Sequence, residues 1–169
     1  MDRFERLLIE NIPRLRRYAW ALTGDSDRAD DLVQDCLARA VSRRRLWVSA
    51  KGMRPWLFTI LRNLHRNALS KSAREPTLTA LDDQKELANQ SYSAEGLQKL
   101  AELDKALQKL SVEHREILLL VGLEQLTYKE TASLLELPLG TVMSRLSRAR
   151  AQLRDFLADA PSTVLKKIK

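Results

Sequence analysis

The stretch Leu126-Thr127-Tyr128-Lys129-Glu130-Thr131-Ala132-Ser133-Leu134-Leu135-Glu136-Leu137-Pro138-Leu139-Gly140-Thr141-Val142-Met143-Ser144-Arg145-Leu146 decides the fold. Thr127 with Glu130 three positions on forms a capping box. The hydroxyl accepts from a helical amide while the carboxylate reaches back to the amide of the cap. Ala132 and Leu135 follow at a spacing that turns both toward a neighbour. Glu136-Leu137-Pro138 then ends the helix, because proline lacks an amide hydrogen and disfavours helical geometry in the residue before it. A second helix begins beyond the proline. Its buried stripe is Val142, Leu146, Ala149 and Leu153, and its exposed face carries Thr141, Ser144, Arg145, Arg148 and Gln152. A short capped helix, a three-residue turn and a longer helix with an arginine-bearing face make a helix-turn-helix.

In that motif the second helix enters the major groove with its N-terminal polar residues, so Thr141 and Ser144 lie where base edges would be met. Arg145 is the best candidate for a bidentate contact to guanine, worth roughly 1–3 kcal/mol of discrimination. Lys129, Arg148, Arg150 and Arg154 suit phosphates, which set position without reading sequence. An arginine-rich helix standing alone is better explained as a solvated outer face. The capped helix and turn ahead of it reverse that preference.

The same periodicity extends outward. Helices are expected over about 97–110, 111–123, 127–135 and 138–158. Residues 3–23 read as a short helix, a bend near Pro13 and a second helix carrying Leu15, Tyr18, Ala19 and Leu22. Asp25 or Ser26 caps the next, through about Arg44, whose apolar stripe is Ala29, Leu32, Val33, Cys36, Leu37, Ala40 and Val41. After a break at Trp47 to Gly52, a third helix runs from Met53 to about Ser72. Leu57, Ile60, Leu61, Leu64 and Ala68 point inward, and Arg62, Asn63, Arg66, Asn67 and Ser70 lie opposite. The expected architecture is all-α: a helical unit over 1–72, a polar linker over 73–96, a helix-turn-helix unit over 97–160 and a basic tail over 161–169.

Composition narrows the function. The 169 residues carry a formal charge of +7 with only five glycines and five prolines, which favours helices and a polyanionic partner. A lone cysteine, Cys36, excludes an internal disulfide framework and suits a reducing cytosol. His65 and His114 fall in different units, and there is no glycine-rich phosphate loop or paired metal-ligand motif, so the reading is of a non-enzyme without metal or cofactor. No apolar run approaches the roughly 20 residues that span a bilayer, and the first thirty residues are charged throughout, so a cytoplasmic protein is expected.

The run Ser111 to Leu120, the segment Leu126 to Glu130 and above all Leu139 to Arg150 resemble region 4 of the extracytoplasmic-function sigma factors. The N-terminal unit is similar to region 2 of the same family: Ala29-Asp30-Asp31-Leu32-Val33-Gln34-Asp35 matches region 2.2, and Pro55 to Asn63 matches the core of regions 2.3–2.4. The resemblance implies promoter binding at the −35 element and the polymerase β flap by the C-terminal unit. It implies docking on the β′ clamp helices of core RNA polymerase through Asp31, Gln34 and Asp35, which by sequence alone read as ordinary helix solvation. It also implies −10 recognition and melting near Trp47 to Met53 and on the polar face of the third helix, with Lys51, Arg54, Arg62, Asn63, Arg66 and Asn67 as candidates. A basic surface with aromatic groups suits that task, because each stacked base contributes about 1–3 kcal/mol. Trp56, at the start of the buried stripe, reads as core; Trp47 suits either role.

Asn67 stands where the family commonly has aspartate and Ser70 where it has arginine, and the 45–52 loop has no family signature, so the −10 preference is not readable. Met53 to Asn63, with Ile12 to Arg16 and Ala29 to Gln34, is similar to the alphaproteobacterial general-stress subgroup, which implies a small helical anti-sigma factor as a partner. The competing reading is a helix-turn-helix regulator that binds a duplex operator without polymerase, usually as a dimer. A helical adaptor binding only proteins would show no salt-dependent DNA affinity.

Overall fold

A computed structural model describes residues 1–74 and 93–160. The described residues form seven α-helices: α1 Arg3–Thr23, α2 Ser26–Ser42, α3 Met53–Arg74, α4 Ala94–Lys109, α5 Val112–Leu118, α6 Tyr128–Leu135 and α7 Leu139–Ala158. Single 3-10 turns, Arg44–Leu46 and Ser49–Lys51, lie between α2 and α3, and a wide π turn, Leu119–Leu123, continues α5. Among the described residues there is no strand. The chain divides into two compact units, one built on α1–α3 and the other on α4, α5 and α7 with the first part of α6.

In the first unit α1 is one continuous helix, with Pro13 inside it, where the sequence suggested a bend and two pieces. An interior proline costs about 3 kcal/mol through a lost hydrogen bond and a clash with the preceding turn. Here Pro13 lies on the exposed side, while Phe4, Leu8, Leu15, Tyr18, Ala19 and Leu22 form one buried stripe on both sides of it. Packing of that stripe with α2 and α3 outweighs the local penalty. At the C-terminus of α1, Gly24 takes a left-handed conformation (φ 68°) and donates its amide to the Trp20 carbonyl at 2.8 Å, a cap that glycine adopts at little steric cost. Asp25 then accepts from the Arg28 amide at 3.0 Å and starts α2.

Two apolar stripes end earlier than periodicity predicts. The second helix stops at Ser42 and leaves Val41 exposed and Leu37 half-buried, because the chain turns away at Arg43. In α3, Met53, Leu57, Phe58, Ile60 and Leu61 are buried, but Leu64 is half-buried and Ala68 exposed, and His65 is buried in their place. Beyond Arg66 every described residue of α3 is exposed, so the helix outruns the surface that covers it. Tyr18 and Phe58 meet edge-to-face with centroids 4.8 Å apart, and the Cys36 thiol donates to the Leu57 carbonyl at 3.5 Å. The third helix runs on to Arg74 and α4 begins at Ala94, both inside the span 73–96 read as linker; residues 75–92 and the tail 161–169 lie outside the described residues.

In the second unit α4 and α5 pack on α7. Ser93 and Ser111 cap α4 and α5 by accepting from the amides of Gly96 and His114, each at 3.2 Å. Arg115 reaches back to the end of α4. Its Nε donates to the Leu107 carbonyl at 2.8 Å, and its Nη2 donates to those of Gln108 and Leu110 at 3.0 and 3.1 Å. These acceptors include last-turn carbonyls that the helix itself leaves without donors. Burial lowers the Arg115 pKa, opposed by the nearby Asp104 carboxylate, and burial likewise raises that of Asp104.

Two outcomes follow for the first core. Phe58→Ala removes a fully buried ring and is expected to cost about 3–5 kcal/mol, read from urea denaturation. Burial pushes the Cys36 thiol from 9.0 to about 12, so the folded protein retains a proton that the unfolded chain loses. That contribution to stability is complete below pH 9.0 and is lost as pH rises toward 12. Stability relative to Cys36→Ala is expected to fall across that window, and a stability difference flat in pH would contradict it.

Candidate nucleic-acid interface

The start of α6 is held by the predicted capping box. The Thr127 amide donates to Glu130 Oε2 at 2.9 Å, and the Glu130 amide donates to Thr127 Oγ1 at 3.1 Å. At its other end Glu136 adopts a left-handed conformation (φ 55°), and the Leu137 amide bonds the Ala132 carbonyl at 3.0 Å. Pro138 follows, and its carbonyl accepts from the Val142 amide at 3.1 Å as α7 begins. A tight turn therefore separates two helices at the place where the sequence predicts one.

Along α7, Val142, Leu146, Ala149 and Leu157 are buried, and Leu153 is half-buried where full burial was expected. The polar face divides. Ser144, Arg148, Arg150 and Arg154 are exposed, as is Lys129 on α6; Thr141 and Arg145 are half-buried at the margin of the apolar stripe. The Ser144 hydroxyl donates to the Thr141 carbonyl at 3.2 Å, which leaves its oxygen free to accept a further bond. Gln152 has a structural partner: its Oε1 accepts from His114 Nδ1 at 2.7 Å, tying α7 to α5. Two large apolar residues, Leu139 and Met143, also stand exposed on the first two turns. Sequence reasoning assigned them no role.

In the first unit, Asp31, Gln34 and Asp35 are exposed on α2, on the side away from buried Leu32, Val33 and Cys36. Asp27 and Asp30 are exposed too, which extends the acidic face toward the start of the helix. The second candidate surface is divided between a loop and α3. Lys51, Asn63 and Asn67 are exposed, and Arg54, Arg62 and Arg66 are half-buried.

The 43–52 segment is pinned from its inner side. Phe4 of α1 takes Trp47 and Trp56 edge-on, with centroids 5.6 and 6.1 Å away, so Trp56 belongs to this cluster and is half-buried, where the sequence placed it in the core. The Arg44 guanidinium lies 5.2 Å over the Phe4 ring and pairs with Asp2. Asp2 also caps α1, accepting from the Glu5 amide at 2.9 Å while the Asp2 amide donates to Glu5 Oε2 at 3.1 Å. The bond from the Glu5 amide, joined by Arg44, holds the Asp2 carboxyl below its usual range. Outward, the segment exposes Leu46 (66%) and Val48 (55%) among Arg43, Arg45 and Lys51. Asp2 with Glu5 is the same cap signature as Thr127 with Glu130 and was readable; the pairing with Arg44, 42 residues away, had no local signal.

Among the described residues no group of three or more His, Cys, Asp or Glu side chains is placed to hold a metal ion, and no helix is long and apolar enough to cross a membrane. A capped helix-turn-helix with arginines on its outer face, preceded by a separate three-helix unit with an acidic face and a basic, aromatic-backed loop, defines a protein built to engage DNA and a second macromolecule.

Comparison with known proteins agrees. Residues 8–62 match the family model described as the sigma2 domain of PhyR, and residues 100–153 match that of sigma-70, region 4. The chain is 37% identical over 150 residues to the ECF RNA polymerase sigma factor EcfG of Rhodopseudomonas palustris, covering 89% of this chain and 82% of that one. It is 36% identical over 149 residues to the ECF RNA polymerase sigma factor SigL of Mycobacterium tuberculosis, covering 86% and 83%. In structure it superposes on the sigma factor RpoE of Bartonella quintana, solved in complex with the anti-sigma factor NepR, with a TM-score of 0.80, 32% identity and coverage of 92% and 97%. The chain belongs to the extracytoplasmic-function RNA polymerase sigma factors and resembles those of the alphaproteobacterial general-stress type.

Thr127→Ala removes the hydroxyl half of the capping box. It is expected to cost about 1 kcal/mol of stability in denaturant unfolding. A change within error would mean that the α6 start is held without its cap.

Proposed function

We propose that this sigma factor binds core RNA polymerase through the exposed α2 face and directs it to promoters by reading two elements with its two units. In this reading residues 1–72 carry core binding and the −10 element, 97–160 carry the −35 element, 73–96 link them and 161–169 form a basic tail. Asp31, Gln34 and Asp35 dock on the β′ clamp helices, with Asp27 and Asp30 extending the same acidic face. Acidic side chains on a protein of net charge +7 are badly placed to meet DNA and well placed to meet a basic protein surface.

The −35 element is read by α7. Arg145 is assigned to a guanine, Thr141 and Ser144 to base edges or nearby phosphates, and Lys129, Arg148 and Arg150 to phosphates. The β flap is the further contact of this unit. For the −10 element, Lys51 and Arg54 with Arg62, Asn63, Arg66 and Asn67 supply cationic and hydrogen-bonding groups to a strand. The apolar exposed residues of the 43–52 loop supply surface for unstacked bases. The observation that carries the reading is the pairing of a capped helix-turn-helix with a separate unit whose acidic and basic faces are distinct.

A small helical anti-sigma factor, of the kind bound to RpoE in Bartonella quintana, is proposed as the regulator, in a cytoplasmic stress response. No catalytic role is assigned to any residue, since the chemistry of initiation belongs to the polymerase.

Run-off transcription with purified core polymerase on a promoter library tests the reading: initiation from a discrete promoter class is expected. Arg145→Ala should lower use of the −35 element about tenfold or more with core binding unchanged. Asp31→Ala combined with Asp35→Ala should weaken core binding and leave −35 affinity intact. Equal loss of core binding from both would refute the division, and a tight homodimer that bound duplex operator without polymerase would favour the operator-binding regulator.

A further inference from the structure

We propose that Leu139 and Met143 read thymine methyl groups in the major groove of the −35 duplex. The inference rests on α7 being the recognition helix and adds to it a base feature that arginines do not detect. Leu139 is 46% exposed and Met143 51%, four residues apart and therefore on the same side of the first two turns of α7. They are the exposed large apolar residues of that helix; its other exposed positions are small, polar or charged. A single exposed apolar side chain needs no explanation. Two stacked on one side of the helix end that meets base edges, with exposed Arg148 and Arg150 following, form an apolar strip inside a cationic surface.

Chemistry then selects the ligand. Neither side chain carries a strong hydrogen-bond donor or acceptor, so neither can distinguish the N7, O6, N6 or N4 groups that identify purines and cytosine. The one apolar group on a major-groove edge is the C5 methyl of thymine. The unbranched thioether of Met143 adapts its rotamers to such a contact, and the shorter Leu139 suits a neighbouring position. The arginines supply sequence-independent affinity, and the strip adds discrimination where it meets a methyl.

Uracil substitution isolates this contact, because it removes the methyl and leaves base pairing intact. Holoenzyme assembled with the full chain is assayed on a promoter from the library, with deoxyuridine replacing each −35 thymidine in turn on both strands. At one or two positions the wild-type protein should bind about three- to fivefold more weakly, the effect of one methyl left in water. Met143→Ala should bind the thymine duplex with that same loss and show no further uracil penalty at one position. Leu139→Ala should do so at an adjacent one, while Met143→Leu retains the effect. Exposed positions make both variants neutral for folding, which unfolding midpoints verify.

Uracil penalties below twofold everywhere, penalties unchanged in both alanine variants, or a −35 element without thymine on either strand would each overturn the proposal. Binding that ignores a scrambled −35 element altogether would overturn the recognition-helix reading as well. Loss on Arg145→Ala or on scrambling, without any uracil effect, would sink the methyl contact alone.

Discussion

Every helix leaves backbone donors at its start and acceptors at its end without internal partners, and the described residues of this chain hold seven α-helices with fourteen such ends. Small units have narrow cores, so unsatisfied ends cannot be absorbed by bulk burial. The sequence meets the constraint with side chains: Asp2, Asp25, Ser93, Ser111 and Thr127 at starts, Gly24 and the Arg115 guanidinium at ends. Several of these caps do more than finish a helix. Asp2 also pairs with Arg44 and so ties the start of α1 to the loop before α3, and Arg115 fixes the α4–α5 corner on which α7 rests. The surfaces of both units are aimed by these terminal contacts.

What was legible in the sequence was local. The Thr127 and Glu130 box, the break at Pro138 and the stripe of Val142, Leu146 and Ala149 each follow from spacing, and each is found in the structure. Errors gathered where a distant partner decides. Pro13 predicts a bend, yet the apolar face on either side of it is continuous and wins. Val41 and Ala68 keep perfect periodicity but lie where the covering surface gives out, and Leu64 and Leu153 sit at the margin of their stripes and are covered on one side only.

The candidate site shows the same division. Which helices carry polar and charged faces could be read from periodicity, and Asp31, Gln34, Asp35, Ser144 and Arg148 are exposed. Periodicity does not report how far a side chain at the edge of a stripe is covered, so the half-burial of Arg145 and Thr141 was not legible. Nor was the engagement of Gln152 by His114, which gives an exposed residue of the outer face a partner on α5. The cluster around Phe4 depends on residues more than 40 positions apart, beyond the range of any local pattern.

The indoles give this arrangement an optical consequence. All three tryptophans, Trp20, Trp47 and Trp56, belong to the first unit, and the helix-turn-helix unit has none. Tryptophan emission therefore reports on the first unit without any label. Trp47 lies in the loop itself, between exposed Leu46 and Val48 and edge-on to Phe4, so it is the indole placed to respond when something lifts or stacks on that loop. The second unit has no indole, so with excitation selective for tryptophan, DNA carrying only the element met by the first unit changes the emission and DNA carrying only the other leaves it unchanged.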